Sequence, residues 1–381
     1  MNEVIVVGGN HHNALGVIRS FGKNGIKINL IVTNDTKYPF IVKSKYVKKY
    51  SIIKENEVEI LDELSKYKNI TPKPAIIPTS DYAEYVIDKN LDKLKKTFIV
   101  PSINNTQGEV IKYMDKFNQI DLCKKYKIDM AKSCVLVLNN ELNLNIKLKY
   151  PYILKPIESI NGKKTDIQIV SNPKEFSKCI EILKEKKYKK ILVQEYLKYD
   201  YELTLMGCSS NGKVIVPGAV KKIRRYPEKS GNVSYGEVIP LTKNDFYKIK
   251  ELLKSINYNG LFDIEVFKVG NQYILNEINF RNSGNTYVLT YKNIFLPVIW
   301  YYLAIGKSVN NLKFEFTNSF YMRDSNLERT KLFNKEISFK EYIHAKRNSQ
   351  ISFINDLDDN KVKLWKLLYA VLRRIDKNGK L

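Results

Sequence analysis

The sequence is poor in features that would place the protein outside the cell or in a bilayer. Its four cysteines, Cys123, Cys134, Cys179 and Cys208, form no CxxC pair and no metal-ligand spacing, which predicts free thiols in a reducing compartment. The N-terminus lacks a basic region followed by a long apolar run, and no segment approaches ~18 continuous apolar residues. These absences predict a soluble cytoplasmic protein.

Two common nucleotide and hydrolase signatures are also missing. The first glycines stand in GGNHHNALG, which lacks the GxGxxG spacing of dinucleotide-binding loops. No GxSxG elbow occurs, and the histidines form no convincing pair with a cysteine, His344 lying far along the chain. The sequence therefore argues against an NAD-dependent enzyme and against catalysis through a covalent nucleophile.

Acidic residues are in deficit, with 40 Asp and Glu against 64 Lys and Arg and a formal net charge of +24. The lysines are scattered rather than blocked, so a general compositional bias explains them better than a nucleic-acid partner does. Such a charge still favours anionic ligands in a concave site. With 381 residues, 44% of them hydrophobic, the chain is long enough for about two or three domains.

The N-terminal region predicts a β-α-β unit. An apolar run at Val4–Val7 ends in glycine, apolar residues recur at helical spacing up to Gly22, and a second strand follows at Ile26–Val32. Parallel sheets of this kind bind ligands at their carboxyl edge. His11 and His12 follow the first strand, where they either contact an anionic substrate or serve as capping and packing residues.

The same unit repeats more loosely up to about residue 110, where we place the end of the first domain. The pattern predicts a helix at Glu57–Tyr67, strands at Ala75–Pro78 and Thr97–Val100, and a helix at Asp81–Asp88 between them. A further helix is predicted at Lys112–Tyr126. These elements extend the parallel α/β region and lead into the next one.

The stretch Gly260–Gly284 predicts an antiparallel hairpin, and the parity of its loop decides which side chains meet. An odd loop at Gly270–Gln272 pairs Glu265 with Glu277, whereas a two-residue Gly-Asn turn sends the glutamates to opposite faces. The register of this hairpin is therefore a direct test of any site built on it.

With the odd loop, carboxylate and amide oxygens cluster on one face. Asp263 then pairs with Asn279, beside Glu265 and Glu277, and Arg281 lies next to them. Hard cations such as Mg²⁺ prefer oxygen ligands and leave positions for phosphate oxygens, while the guanidinium can hold an anion. The alternative is an amphipathic hairpin with a merely solvated polar face.

Two further basic segments precede the hairpin. The strand Pro151–Leu154 delivers Lys155, and a loop from Ile157 to Asp166 carries hydroxyl and lysine side chains suited to phosphate, or is a plain basic hairpin. Farther along, a basic strand is either solvated or a cationic wall facing a substrate. Its basic residues are Lys221, Lys222, Arg224 and Arg225.

Five segments occur in this order: Asp115-Lys116, YPYILKP, VQEYLKYDYELT, FDIEVF and NEINFRNSG. In that order and spacing, the chain resembles the ATP-grasp superfamily over roughly residues 110–305. GGNHHNALGVIRSFG and YPFIVKSKYVKKY resemble its carboxylate-amine ligase branch, which includes D-aspartate ligase-like proteins. The implied fold class is α/β and α+β: a Rossmann-like pre-ATP-grasp domain at 1–110, an ATP-grasp domain at 111–310 and a C-terminal extension at 311–381.

The resemblance also implies roles for individual residues. The implied ATP contacts are Lys116, Lys155, Ser159, Gly162, Lys163, Gln194, Glu195, Tyr196, Leu197 and Glu202. Glu265, Glu277 and Asn279 fall on the family's magnesium positions and Arg281 on its anion-binding arginine, so Arg281 and Lys155 are the implied catalytic residues. The loop at 159–164 departs from the family because it contains a single glycine. That departure puts productive loop closure in doubt.

The implied function is an ATP-dependent, ADP-forming ligase that joins a carboxylate to an amine through an acylphosphate. The cofactors would be ATP and two Mg²⁺ ions, with Mn²⁺ as an alternative, and the partners small molecules rather than nucleic acid. The candidates for binding the carboxylate substrate are His11, His12, Arg224, Arg225 and Ser283. The competing interpretation is a regulatory ATP-binding module without ligase turnover. The sequence is compatible with a homodimer.

The chain closes on KVKLWKLLYAVLRRI, which predicts a basic amphipathic helix. Such a helix packs onto its own domain, docks onto a partner or lies on a membrane surface. In the last case, a lipid-linked cell-wall or capsule precursor becomes a plausible acceptor.

Overall fold

The computed structural model describes residues 2–34, 36–138, 148–157, 166–228 and 231–378. Its strands form three sheets: a parallel sheet near the N-terminus, a four-stranded antiparallel sheet, and an eight-stranded sheet that includes the predicted hairpin. The mixture of α/β and α+β regions agrees with the predicted fold class.

The N-terminal sheet is parallel, as predicted, with strand order β3-β2-β1-β4. Val4 and Val6 of its central strand pack in one hydrophobic cluster, while Ile5 and Val7 pack in another on the opposite face. A strand buried on both faces explains why the sequence there is continuously apolar. The elements are β1 Val4–Gly8, α1 His12–Gly22, β2 Ile28–Val32, a 3-10 helix Ile41–Lys43, β3 Val47–Ile52, α2 Glu57–Ser65, β4 Ala75–Pro78, α3 Asp81–Lys89 and α4 Leu91–Leu94.

The strand predicted at Thr97–Val100 is wrong. Only Ile99 bridges to the parallel sheet, at Ala75, and the next extended pair, β5 Ser102–Ile103, joins Tyr258 and its neighbour in the large sheet. The chain passes here from the core of the parallel sheet to the core of the large sheet, and its apolar residues are buried along the way. A buried apolar connection therefore gave the same sequence pattern as a buried strand.

The helix predicted at Lys112–Tyr126 is two helices, α5 Glu109–Met114 and α6 Lys116–Lys125. Asp115 between them is extended, and its carboxylate accepts hydrogen bonds from the N–H groups at the start of α6, 2.7 Å from that of Phe117. A carboxylate at this position caps a helix and opposes its dipole. The break makes Lys116 the first residue of α6.

The antiparallel sheet has the order β6-β9-β7-β8. Leu154 of β7 and Val193 of β9 pack in one cluster with apolar residues of α7, the helix between β8 and β9. These residues are Phe176, Ile180 and Leu183. The sheet is therefore covered on one face by a single amphipathic helix. The elements are β6 Ser133–Val137, β7 Tyr152–Pro156, β8 Gln168–Val170, α7 Pro173–Glu185 and β9 Lys190–Glu195.

The large sheet follows the order β14-β13-β10-β11-β12-β15-β16, with β5 also paired to β13. Alternate residues of β10 enter different clusters, Leu203 and Leu205 on one face and Met206 and Cys208 on the other. The elements are β10 Tyr201–Ser210, β11 Lys213–Tyr226, β12 Asn232–Pro240, α8 Tyr247–Ser255, β13 Tyr258–Val269, β14 Gln272–Asn279, a 3-10 helix Gly284–Lys292, α9 Leu296–Ala304, β15 Phe320–Arg323, α10 Ser325–Phe333, α11 Phe339–Asn348, β16 Ser349–Ser352, a 3-10 helix Leu357–Asp359 and α12 Lys361–Asn378.

The segment after β16 is fixed to α1 by a buried arginine. The Arg19 guanidinium donates to the Asp359 carboxylate at 3.0 Å and to the carbonyl oxygens of Phe353 at 3.1 Å and Ile354 at 3.2 Å. Ser44 also donates to Asp359, at 2.8 Å. A buried guanidinium with several acceptors is held in one geometry. The C-terminal segment is thereby anchored to the N-terminal sheet region.

In the part of the chain that the structure describes, no helix is both long enough and apolar enough to cross a membrane. The predicted C-terminal helix does form, as α12. Val362, Trp365, Tyr369 and Leu372 on one of its faces pack against the core of the N-terminal region. For that face, the prediction that the helix packs onto its own protein is confirmed.

We expect Asp359→Ala to destabilise the protein by about 3–5 kcal/mol, because it removes the carboxylate nearest the buried charge of Arg19 and leaves only Asp356, 4.0 Å away. The free energy of unfolding would be measured in urea from the fluorescence of Trp300 and Trp365. Asp121→Ala is the control, since Asp121 pairs with Lys124 on the exposed face of α6 and should cost less than ~1 kcal/mol. Equal losses in the two variants would contradict the anchoring role of Arg19.

Candidate functional site

A cleft of about 820 Å³ lies where the three sheets meet. One wall comes from β7 and β9, a second from β10, β11, β13 and β14, and the far end from the loops after β1 and β4. Those loops leave the carboxyl edge of the parallel sheet, where ligands bind in such folds. Most of the predicted site residues line this one cleft.

The hairpin pairs Glu265 with Glu277, as the odd-loop alternative predicts, but by a different route. Only Gly270 and Asn271 separate the strands, and this two-residue turn alone would send the glutamates to opposite faces. A β-bulge at Asn276 adds one residue to β14 and restores the pairing. The loop is the two-residue alternative, and the register that pairs the two glutamates is confirmed.

Asn276 was missed by the sequence reasoning. Its side chain accepts a hydrogen bond from Lys155 at 3.4 Å and donates to Glu265 at 3.1 Å. The bulged residue therefore connects the predicted phosphate lysine to a predicted metal ligand. The signal for it was indirect. A Gly-Asn turn predicts two loop residues, and with two loop residues the glutamates share a face only if a bulge adds one residue to a strand.

The oxygen ligands predicted for magnesium lie together on the cleft face. Asp263 pairs with Asn279 one step along the ladder from Glu265 and Glu277. Within the described ranges, no three His, Cys, Asp or Glu side chains form a ready metal cluster. Two glutamates and an amide still fit Mg²⁺, since that ion keeps positions for water and phosphate oxygens.

Two lysines face these carboxylates from the other side. Lys116 Nζ lies 3.0 Å from Glu277 Oε1. Lys155 is buried in β7, and burial together with the charge of Lys116 lowers the pKa of Lys155 to about 8. The pair forms a cationic position next to the oxygen ligands, as predicted from the sequence.

Three predicted phosphate contacts, Ser159, Gly162 and Lys163, lie outside the described residues. The residues on either side of that loop are described, and both Ile157 and Asp166 are buried. Ile157 directly follows β7, the strand that carries the lysine at the cleft. The role of the loop stays a prediction.

Lys222 is the central cation of the opposite wall; the sequence reasoning named it in the basic strand but not among the site residues. Its ammonium pairs with Glu202 and lies 3.0 Å from Glu265 Oε1, while Arg225 Nη1 lies 2.9 Å from Glu202 Oε2. Burial opposes the charge on Lys222, but the two carboxylates outweigh it and raise its pKa. Glu202, predicted to bind ribose, is thus already held by two cations.

Arg224 does not line the cleft, which corrects its prediction as a substrate contact. Bulges on both sides of it turn its side chain away from that of Arg225. Its guanidinium pairs with buried Glu328 and lies 4.7 Å from the ring centre of Tyr235. Arg224 therefore fixes α10 to β11.

The predicted adenine contacts form one edge of the cleft. Gln194, Glu195, Tyr196 and Leu197 all line it, at the end of β9. Glu195 Oε1 accepts a hydrogen bond from the Lys132 N–H at 2.8 Å, so this carboxylate is positioned by the backbone. The arrangement offers amide and main-chain groups to a flat polar ligand.

At the far end, the two histidines cap and pack, and they also line the cleft, so contact with a substrate stays a prediction. His11 caps α1, with Nδ1 accepting from the Asn13 N–H at 3.4 Å, and both rings line the cleft. The ring of His12 stacks on Phe353, with centroids 4.4 Å apart and planes 8° from parallel. Burial, then the charges of His11 and Lys366, lower the pKa of His12 well below its ordinary value, so its imidazole is neutral.

Arg281 joins the far end of the cleft to the carboxylate cluster. Its Nε lies 2.7 Å from Asp81 Oδ1, at the start of α3, and its Nη1 lies 3.9 Å from Asp263 Oδ1. Ser283, a predicted substrate contact, lines the cleft beside it. Asp81 and Phe353 were not predicted as site residues. Neither belongs to a motif, and only the tertiary fold brings them here.

A family model described as the ATP-grasp domain matches residues 121–292. The match covers a little under half of the 381 residues, and it identifies an ATP-grasp domain in this part of the chain. The matched residues include the antiparallel sheet and strands β10–β14 of the large sheet, among them the hairpin with Glu265 and Glu277.

One curated protein and two solved structures are also similar to this chain. A formate-dependent phosphoribosylglycinamide formyltransferase of Prochlorococcus marinus is 26% identical over 54% of this chain and 53% of its own, so the chain spans about half the length of that relative. In fold, this chain is similar to the N5-carboxyaminoimidazole synthetase of Staphylococcus aureus complexed with ADP. The TM-score is 0.66 and the identity 15%, and the alignment covers 90% of this chain and 87% of the synthetase. This chain is also similar to an L-amino acid ligase of Bacillus licheniformis, with a TM-score of 0.60, 12% identity and coverage of 80% and 74%.

We expect ATP binding to take up a proton when the pH lies one unit above the pKa of Lys155, which is about 8. Phosphate anions raise that pKa, so above it the free amine gains a proton on binding, while well below it the amine is charged in both states. Calorimetric titrations in buffers of different ionisation enthalpy measure the uptake. Lys155→Arg keeps a permanent charge and should abolish the uptake; unchanged uptake in this variant would contradict the assignment.

Proposed function

We propose that the protein is an ATP-dependent ligase that joins a carboxylate to an amine and releases ADP and phosphate. The observation that carries the proposal is the in-register pairing of Glu265 with Glu277 opposite Lys116 and Lys155, with Arg281 beside them. Oxygen ligands, lysines and an arginine at one point of a cleft suit the transfer of a phosphoryl group.

The nucleotide would lie along the cleft. Its adenine would meet Gln194 and the backbone after β9, and its phosphates would lie against Lys116 and Lys155. Glu202 would accept hydrogen bonds from the ribose hydroxyls while it also pairs with Lys222 and Arg225. The ADP of the structurally similar synthetase supports this class of ligand.

Glu265, Glu277 and Asn279 would hold Mg²⁺, which supplies neutralisation of the phosphate charge when bound. As the phosphates arrive, Lys116 is freed from Glu277 to contact them, and Lys155 stays fixed by Asn276. The protein's own part in the reaction is to position the reactants and exclude water.

In the proposed reaction, a carboxylate oxygen of the acid attacks the γ-phosphorus, and the bond to the β-phosphate oxygen breaks to leave ADP. The amine then attacks the carbonyl carbon of the acylphosphate, loses a proton and displaces phosphate, giving an amide. Arg281, which pairs with Asp81 and Asp263, would orient the acid beside the γ-phosphate. The neutral ring of His12 is placed farther along the cleft.

The cleft residues and the named relatives indicate the chemical class of the substrates. His11, His12, Arg225 and Ser283 line the cleft and stay our candidates for contacting the acid or the amine. The named relatives use formate with a phosphoribosylglycinamide, or ligate L-amino acids, so both substrates are expected to be small. A D-aspartate ligase-like activity, and a role in cell-wall or capsule precursors, stay hypotheses that rest on the sequence resemblance.

We expect purified protein with ATP, Mg²⁺ and pooled amino acids, dipeptides and small acids to release phosphate in an amine-dependent manner. Glu277→Gln and Lys155→Ala should lower that rate by about 100-fold or more with the fold intact, because each removes a charge at the reacting phosphate. Glu251→Gln, an exposed carboxylate on α8, is the matched control and should leave the rate unchanged.

Near-normal activity of either site variant would refute the site. ATP binding without turnover across the panel would instead support the regulatory ATP-binding module. Absence of both binding and turnover would reject the nucleotide assignment itself.

A further inference from the structure

One face of α12 exposes a stripe of large apolar side chains. Leu364, Leu367, Leu368, Val371 and Ile375 are between 46% and 63% exposed. Their spacing of three, four, seven and eleven residues places them on one side of the helix. A continuous apolar stripe on a surface indicates an interaction site, whereas scattered apolar residues need no explanation.

The stripe is not the result of a detached helix. On the opposite side, Val362 is fully buried and Tyr369 is 9% exposed, both packed in the N-terminal core. Arg373 donates to the Tyr38 carbonyl at 3.1 Å, and Asp376 accepts from the Tyr38 hydroxyl at 2.8 Å. The helix is therefore fixed by one face and presents the other outward.

Charge decides which partner fits. Lys361 and Lys363, at the start of the helix, are exposed beside the stripe, and the sole acidic residue in the α12 sequence, Asp376, is paired with Lys37. Two copies packed stripe to stripe would bring two basic helices together in a chain of net charge +24, and like charges oppose that contact. An anionic surface with an apolar interior suits both the stripe and its lysines.

We propose that α12 docks the protein on the surface of a membrane rich in anionic lipids. The stripe enters the boundary between headgroups and acyl chains, and the lysines contact the lipid phosphates. The protein binds as a peripheral one, lying on the membrane and not through it. This inference is independent of the proposed reaction, because it rests on a surface outside the cleft.

The test is flotation of the full-length protein with vesicles of phosphatidylcholine alone or with about a third phosphatidylglycerol. We expect the protein to float with the anionic vesicles and to remain below with the neutral ones. The bound fraction should fall as salt is raised. Failure to float with anionic vesicles, or equal binding to both kinds, would overturn the proposal.

Variants separate the stripe from general stickiness. Leu364→Gln with Leu368→Gln should lower binding about tenfold, and Lys361→Glu with Lys363→Glu should do the same through charge. Val58→Gln, at an apolar residue of α2 that is 67% exposed, is the matched control and should bind normally. Circular dichroism confirms that each variant is folded.

Two outcomes would reject the membrane in favour of another role for α12. Loss of binding in the Val58 variant equal to that in the stripe variants would indicate non-specific adsorption. A concentration-dependent dimer that the stripe substitutions dissolve, without vesicle binding by the wild type, would assign the face to a second copy of the chain.

Discussion

The placement of Glu265 directly opposite Glu277 is the constraint on which the rest of the site depends. Two carboxylates on neighbouring strands repel unless cations lie between and beside them. Here Lys222 approaches from β11 and Lys116 from the start of α6, each 3.0 Å from one glutamate. The hairpin thus determines the positions of the ammonium groups that α6 and β11 contribute to the cleft. It also determines where a phosphate chain can be received.

Without a nucleotide, the charges of the cleft neutralise one another. Each glutamate has a lysine partner, and Glu202 has Lys222 and Arg225. A ligand that brings both phosphate and a divalent cation offers each side a new partner: the cation for the carboxylates and the phosphates for the lysines. The same side chains can therefore pair with one another or with such a ligand.

Local patterns predicted the parallel opening, the hairpin, Lys155 on its strand and the ordered acidic residues, because each depends on neighbours in sequence. The sequence did not reveal which route the hairpin takes to its register, since the bulge at Asn276 leaves no local signature. Arg224 was predicted as a substrate contact but lies outside the cleft, because the bulges beside it, which the sequence does not signal, interrupt the alternation of the strand. Phe353 escaped notice because its partner, His12, lies more than three hundred residues away.

The stack of Phe353 on His12 joins two segments that lie far apart in the sequence. The carbonyl oxygen of Phe353 also accepts a hydrogen bond from Arg19 of α1. Bringing such distant residues together costs loop-closure entropy, which only the packing of the whole fold offsets. The far end of the cleft therefore depends on long-range contacts, whereas the hairpin at its centre depends on neighbours in sequence.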